Sequence, residues 1–243
     1  MPYIVVDGID GSGKSSICAA LTKLAAAHGY NVESVSEPGG TAVGKELREI
    51  FKANRSETIE PLAEAMIIGA ARIQLMKHKV LPALCAGELV IGDRSYQSTL
   101  AMQAWAYFRL NGDVEDRDAI VDTVRTVQHR YPWSVPNFTA IIDVPVEVAM
   151  ERIKARGGLD RLENQGEEMM RHRREGFIAH DALIQNPAGA KPVIYDGTLP
   201  VEETAQKIWN DFLEYAKTAD LDWVRLSWDG PVQGMRPSES VKA

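Results

Sequence analysis

The chain has 243 residues, a formal net charge of −7 and two cysteines. Apolar residues make up 45% of it and charged residues 25%, which supports a buried core and argues against disorder over the bulk of the chain. No run of about 18 apolar residues occurs, so no membrane span is expected, and the acidic balance argues against non-specific binding to nucleic acid, which needs a basic face. The length favours one large domain. No basic leader or cleavage-site pattern precedes the first strand, and a cytoplasmic location is expected. Cys18 and Cys85 lie in apolar, helix-like sequence and read as buried free thiols of a reducing compartment.

In chain order, Tyr3–Val6 reads as a short strand ended by Asp7-Gly8. Lys14–His28 is apolar at helical spacing and ends at Gly29, a C-cap residue. Asn31–Ser36 alternates like a strand; Thr41–Ala53 and Glu60–Ala86 read as helices, the second closed by Gly87. Glu88–Ile91 is the third strand. Gln97–Leu110 and Asp116–Tyr131 read as helices split by Asn111-Gly112. Thr139–Val144 is the fourth strand, Val146–Ala155 a helix broken by Gly157-Gly158, and Glu167–Gln185 a charged helix. Val193–Tyr195 is the fifth strand and Val201–Thr218 the last helix. Beyond Asp220, Trp223, Val224, Leu226 and Trp228 hint at a short strand or packed patch, followed by turn signals at Asp229-Gly230-Pro231 and Arg236-Pro237-Ser238. Strands separated by helices imply parallel β-α-β units with right-handed crossovers, hence one three-layer α/β domain.

The sharpest motif is Gly8-Ile9-Asp10-Gly11-Ser12-Gly13-Lys14-Ser15. It fits G-x-x-x-x-G-K-[ST] between a strand and a helix. Gly8, Gly11 and Gly13 free the backbone so that successive N–H groups, those of Ser12 and Ser16 among them, can point at phosphate oxygens. The helix that opens near Lys14 adds its positive end. Lys14 would bridge β- and γ-phosphates, and Ser15 would offer its hydroxyl to Mg²⁺. The motif alone does not separate a kinase from a GTPase, a motor or a synthetase; no N-K-x-D-like guanine reader is found.

Four more segments narrow the choice: Glu37-Pro38-Gly39-Gly40-Thr41, Ala70-Ala71-Arg72-Ile73-Gln74-Leu75, Asp93-Arg94-Ser95-Tyr96-Gln97-Ser98-Thr99 and Arg156-Gly157-Gly158-Leu159-Asp160-Arg161-Leu162-Glu163. In this order and at these gaps the chain resembles the bacterial-type thymidylate kinases from about Tyr3 to Tyr215. The resemblance implies a P-loop nucleoside monophosphate kinase fold with a five-stranded parallel sheet and a flexible lid at about 156–166, set in a domain of residues 1–218 with an extension of unknown role at 219–243. It implies phosphoryl transfer from ATP to dTMP with Mg²⁺, no nucleic-acid or membrane partner, and a homodimer.

The same resemblance implies residue roles. Arg94, at a strand's C-terminal end, would contact the acceptor phosphate with Ser98 and Thr99; Arg72 would grip the acceptor phosphate or base, or else be a snorkelling surface arginine. Glu37 and Pro38 would border the acceptor. Asp10 would orient its sugar and phosphate, or simply form a turn, and Asp93 would hold Mg²⁺ through water, or close a strand. Some members carry a catalytic arginine inside the phosphate loop. Gly11 occupies that position here, so Arg156 and Arg161, with Arg152 third, are the lid candidates for transition-state charge. Two positions depart from the family: Ile68 stands where a phenylalanine usually stacks on thymine, and Met102 precedes Gln103 where tyrosine is frequent. These leave another or 5-modified deoxynucleoside monophosphate open as acceptor, beside the more distant readings of an idle nucleotide-binding protein or a nucleic-acid-dependent ATPase. Trp105, Tyr107, Phe108, Tyr131 and Trp133, in a segment longer than in the bacterial form it resembles, would repair the missing stack, build a dimer face, or pack a core.

Overall fold

The computed structural model describes residues 2–157, 159–179 and 191–218. Gly158 of the expected hinge, residues 180–185 of the expected Glu167–Gln185 helix and the aromatic patch after Asp220 lie outside the described residues.

β1 (Tyr3–Asp7) is buried at every position. Its alternate side chains serve opposite faces of the sheet, as a period of two requires. Ile4 and Val6 pack with Leu21, Trp209 and Phe212, whereas Tyr3 and Val5 pack with Leu75, Met76 and Val80. The sheet adds β2 (Val32–Ser36), β3 (Leu89–Asp93), β4 (Phe138–Asp143) and β5 (Val193–Asp196) in the order β2-β3-β1-β4-β5, and every pairing is parallel. The chain leaves β1 toward β2 on one side and later reaches β4 on the other. Strand order therefore reverses at β1, and the crevice beyond its C-terminal end is where such sheets take ligands. Register sets the edges of that crevice: Val6 pairs with Asp93 on one side and with Ala140 on the other.

Helix α1 (Lys14–Ala27) and α10 (Val201–Thr218) cover one face of the sheet. On the other side lie α2 (Ala42–Lys52), α3 (Pro61–Leu75), α8 (Val146–Arg156) and α9 (Gly166–Ile178). The sequence pattern predicts one helix over Glu60–Ala86. The structure runs α3 into a π-helical turn at Met76–Val80 and then α4 (Leu81–Ala86). Pro82 explains the change: it lacks an N–H and crowds the carbonyl four residues back, so the ladder widens just before it. Gly87 closes the run in the left-handed conformation. The helix expected over Gln97–Leu110 is likewise α5 (Tyr96–Thr99), a π turn at Leu100–Trp105 that carries Met102 and Gln103, and α6 (Ala106–Asn111), followed by α7 (Val114–Arg130).

The two cysteines correct one expectation. Both are free, but only Cys18 is partly buried; Cys85 is exposed. Ala83 and Leu84 turn inward on α4, and Cys85, one step further round a short helix, faces solvent. No helix among the described residues is long and apolar enough to cross a membrane.

Candidate active site

The loop from Gly8 to Gly13 leaves β1 and enters α1, whose N-cap is Gly13 with φ 95°. Gly11 adopts φ 80°, and a Cβ there would collide with the Ala149 carbonyl of α8. The loop is thus pressed against α8 where the family alternative would carry an arginine. Lys14 donates from Nζ to the Ile9 carbonyl at 2.7 Å and is 6% exposed. Burial and the nearby Arg94 guanidinium push its pKa down to about 8, against the opposing pull of Asp10, Asp93 and Asp7. Ser15 donates from Oγ to Asp93 Oδ2 at 2.5 Å. A hydroxyl oxygen beside a carboxylate is the hard-oxygen donor set that magnesium takes, with water and phosphate oxygens completing its shell. Among the described residues no cluster of three or more His, Cys, Asp or Glu is placed to hold a metal, so an ion here would rest on this pair and on substrate phosphates.

Arg94 follows β3 with φ 76°, in the left-handed region that a non-glycine residue rarely adopts. Its backbone N–H reaches Val6 O at 3.0 Å, tying it to the end of β1. Its guanidinium forks, with Nη1 reaching the Gly8 carbonyl at 3.1 Å and Ser98 Oγ at 2.7 Å, and Nη2 reaching Asp10 Oδ1 at 2.5 Å. Burial alone would raise the Asp10 carboxyl; Arg94 and Lys14 outweigh it and hold that carboxyl well below the usual range. Beneath them Asp7, fully buried, accepts the backbone N–H groups of Ser95 and Ser98, at 3.1 Å each, and the Ser98 hydroxyl at 2.7 Å. It pins the start of α5 under Arg94, and burial pushes its own pKa up.

Arg72 is 4% exposed, not a surface arginine. Nε donates to Glu37 Oε2 at 2.5 Å and Nη2 to Thr99 Oγ1 at 3.2 Å. These residues border a cleft of about 780 Å³ at the C-terminal end of the sheet. The loop residues Asp10, Gly11, Gly13, Lys14, Ser15 and Ser16 line one end; Glu37, Pro38, Ile68, Arg72, Ser98, Met102 and Gln103 line the other, with Asp93 and Arg94 between. Of the expected residues, Gly8, Ser12, Thr99 and Arg161 do not line it. Phe51 and Leu162 do, beside Ile68, and sequence reasoning passed over both. None of the five aromatic residues in the 105–133 segment lines the cleft. Trp105 packs edge-on to Phe108, and Tyr131 edge-on to Trp133.

The lid arginines go to three different places. Arg152, which lines the cleft, donates from Nη1 and Nη2 to the Gly197 carbonyl, at 3.1 Å each, and approaches the Gly11 and Ser12 carbonyls at 3.4 Å, bracing the phosphate loop. Arg156 is largely exposed and pairs with Glu163. Arg161 turns away from the loop: Nε and Nη2 donate to the Phe51 carbonyl, and Nη1 pairs with Glu64 Oε1 at 2.7 Å. Lys52 adds a bond to Asp160 at 2.5 Å. Arg173 of α9, 1% exposed, seats the turn at 162–165 through the Leu162 carbonyl at 2.9 Å and the Gln165 amide oxygen.

Residues 6–208 match the family model described as thymidylate kinase. A protein named thymidylate kinase from Alcanivorax borkumensis is 32% identical over 206 residues, 85% of this chain and 93% of its own. One of the same name from Idiomarina loihiensis is 30% identical over 215 residues, covering 88% and 97%. Another from Alteromonas mediterranea is 30% identical over 213 residues, covering 88% and 90%. The chain belongs to the thymidylate kinase family.

Within that family's P-loop fold, the residues missed by sequence reasoning are mostly the partners of those found. Asp7 holds Ser95 and Ser98 at the start of α5, and Glu64 receives Arg161, Gln103 and Tyr107. The strand-ending Asp7 offered a faint signal; Glu64, one acid among several ahead of an apolar run, offered none.

Proposed function

We propose that this family member transfers the γ-phosphoryl group of ATP directly to dTMP, giving ADP and dTDP. A phosphate oxygen of dTMP attacks the γ-phosphorus as the bond to the β,γ-bridging oxygen breaks. No covalent enzyme intermediate forms, so positioning and charge carry the rate. The ATP phosphates rest on the backbone N–H groups from Gly11 to Ser16, and Lys14 leaves the Ile9 carbonyl to reach them. Arg94, its fork aimed by Asp10 and Ser98, takes the acceptor phosphate. Ile68, Met102 and Phe51 wall the base, and Gln103 and Arg72 supply its polar contacts. Mg²⁺ would be held by Ser15 and, through water, by Asp93; it supplies charge neutralisation on the β- and γ-phosphate oxygens.

In this reading residues 156–166 act as the lid of a domain spanning 1–218. Arg152 and Arg156 lie on the donor side; Arg156 exchanges Glu163 for developing phosphoryl charge, and Arg161 would reach that charge only by leaving Glu64. The homodimer and the cytoplasmic location belong to the same proposal. Val43, Ile50 and Met66, exposed on α2 and α3, offer apolar area for a second copy, which sedimentation would detect.

The observation that carries the reading is one cleft with a phosphate loop at one end and a buried Arg72–Glu37 pair beside Ile68, Met102 and Gln103 at the other, joined by Arg94. The relatives' shared name favours dTMP over other acceptors. The test uses ATP labelled at the γ-phosphorus: label should pass to dTDP with none retained on protein. Label on protein, or on inorganic phosphate alone, would refute direct transfer.

A further inference from the structure

Glu64 is completely buried in α3, outside the residues lining the cleft, yet three donors converge on it. Arg161 Nη1 reaches Oε1 at 2.7 Å, the Tyr107 hydroxyl reaches Oε1 at 3.4 Å, and Gln103 Nε2 reaches Oε2 at 3.0 Å. Arg161 is itself fixed by two bonds to the Phe51 carbonyl, and the Tyr107 hydroxyl accepts from Gln165 at 2.8 Å, which directs its proton to Glu64. A carboxylate only accepts, and a guanidinium only donates. The Glu64 Oε2 that faces Gln103 can therefore be met only by the amide nitrogen of Gln103. Its Oε1 must turn the other way, and Gln103, 1% exposed and lining the cleft with Ile68 and Met102, leaves that oxygen without a partner. A buried acceptor with nothing to accept from is costly unless a ligand supplies the donor.

We propose that Glu64, held by Arg161, is a positioning residue for base discrimination: it turns the Gln103 carboxamide so that Oε1 accepts from the N3–H of thymine. Cytosine presents a lone pair at N3, and two acceptors then face each other. The same arrangement assigns Arg161 to holding Glu64 in place, not to the transferring phosphoryl group. The inference rests on the reading that the cleft takes dTMP, and its test separates the two.

The probe is 5-methyl-dCMP, which keeps the methyl group and outline of dTMP while replacing N3–H and O4 by a lone pair and an amino group. Wild-type protein should prefer dTMP in kcat/KM by at least about a hundredfold, since a site built around one hydrogen bond rejects the analogue strongly. In Glu64→Gln the new amide can either donate or accept, so Gln103 is free to flip. The preference should then shrink by about tenfold or more, through opposite changes in the two KM values, while kcat for dTMP moves little. Should that variant fail to fold because Arg161 is left unpaired, Glu64→Gln with Arg161→Met removes both charges together and should show the same narrowing. No wild-type preference between the two nucleotides, or an unchanged ratio in a folded variant, overturns the inference. Absence of dTMP turnover by wild type overturns the functional reading instead.

Discussion

Replacing Lys14 by methionine separates what the lysine does for catalysis from what it costs the fold. The side chain is 6% exposed, and its pKa lies at about 8 where an ordinary lysine has 10.5. At 1.36 kcal/mol per pH unit, that interval means the charged lysine costs the folded state about 3 kcal/mol below pH 8. Its bond to the Ile9 carbonyl is open to the neutral amine as well and offsets about 1 kcal/mol, and methionine fills similar volume. Lys14→Met should therefore stabilise the free protein at pH 7 by about 1–2 kcal/mol, raising Tm by about 2–8 °C at this size, while transfer from ATP is abolished. The sign with pH follows from which state holds more protons. Between about pH 8 and 10.5 the unfolded chain keeps the lysine proton that the folded chain has released, so wild-type stability from this group rises with pH across that window. The variant's advantage should fade there. Denaturant unfolding of both proteins at pH 7 and pH 10, with ATP turnover alongside, measures it. A variant less stable than wild type at pH 7, or an advantage that grows with pH, would refute the buried-cation argument; near-normal turnover would refute the phosphate-loop role.

In the proposed lid role Arg156 gives up Glu163 for phosphoryl charge, so Arg156→Ala should lower kcat more than it raises the KM for ATP. Tm should fall by a few degrees, since Arg156 is exposed but the Glu163 side chain it neutralises is 2% exposed and keeps only the Asp160 N–H. Steady-state kinetics with a melting curve checks both, and an effect confined to KM would count against the lid role. Gly11→Ala should cost about 2 kcal/mol or more and weaken ATP binding, because the methyl meets the Ala149 carbonyl and φ 80° disfavours a side chain. A variant with wild-type Tm and ATP affinity would show that the loop is not pressed against α8.

How far the sequence could be read follows the range of the interactions. The strand at Tyr3, the glycine loop and the helix from Lys14 are specified by neighbours, and they stand where the pattern puts them. Pro82 carried a local signal for the π turn, overridden by the length of the apolar run. Arg72 and Arg94 stood out as cations in apolar or strand-end sequence, but their partners did not. Glu37 lies 35 positions from Arg72, and Asp10 lies 84 from Arg94; only the sheet order brings them together. Phe51 is the sharper case. For the missing ring at Ile68 the aromatics of the 105–133 segment are one option beside a dimer face or core packing, whereas the aromatic side chain that reaches the wall comes from the end of α2, which the α2–α3 packing sets beside Ile68. Cys85 shows the same limit on a small scale, since four apolar neighbours say little about which side of a short helix faces out.

The central claim is that this cleft phosphorylates dTMP. It is tested most directly by ADP release from purified protein with ATP and Mg²⁺ over a panel of dTMP, dUMP, dCMP, dGMP and dAMP. The account predicts the highest kcat/KM for dTMP, with dCMP and both purine nucleotides lower by about a hundredfold or more. A clear preference for dCMP or dGMP, or ATP hydrolysis indifferent to any monophosphate, would contradict it.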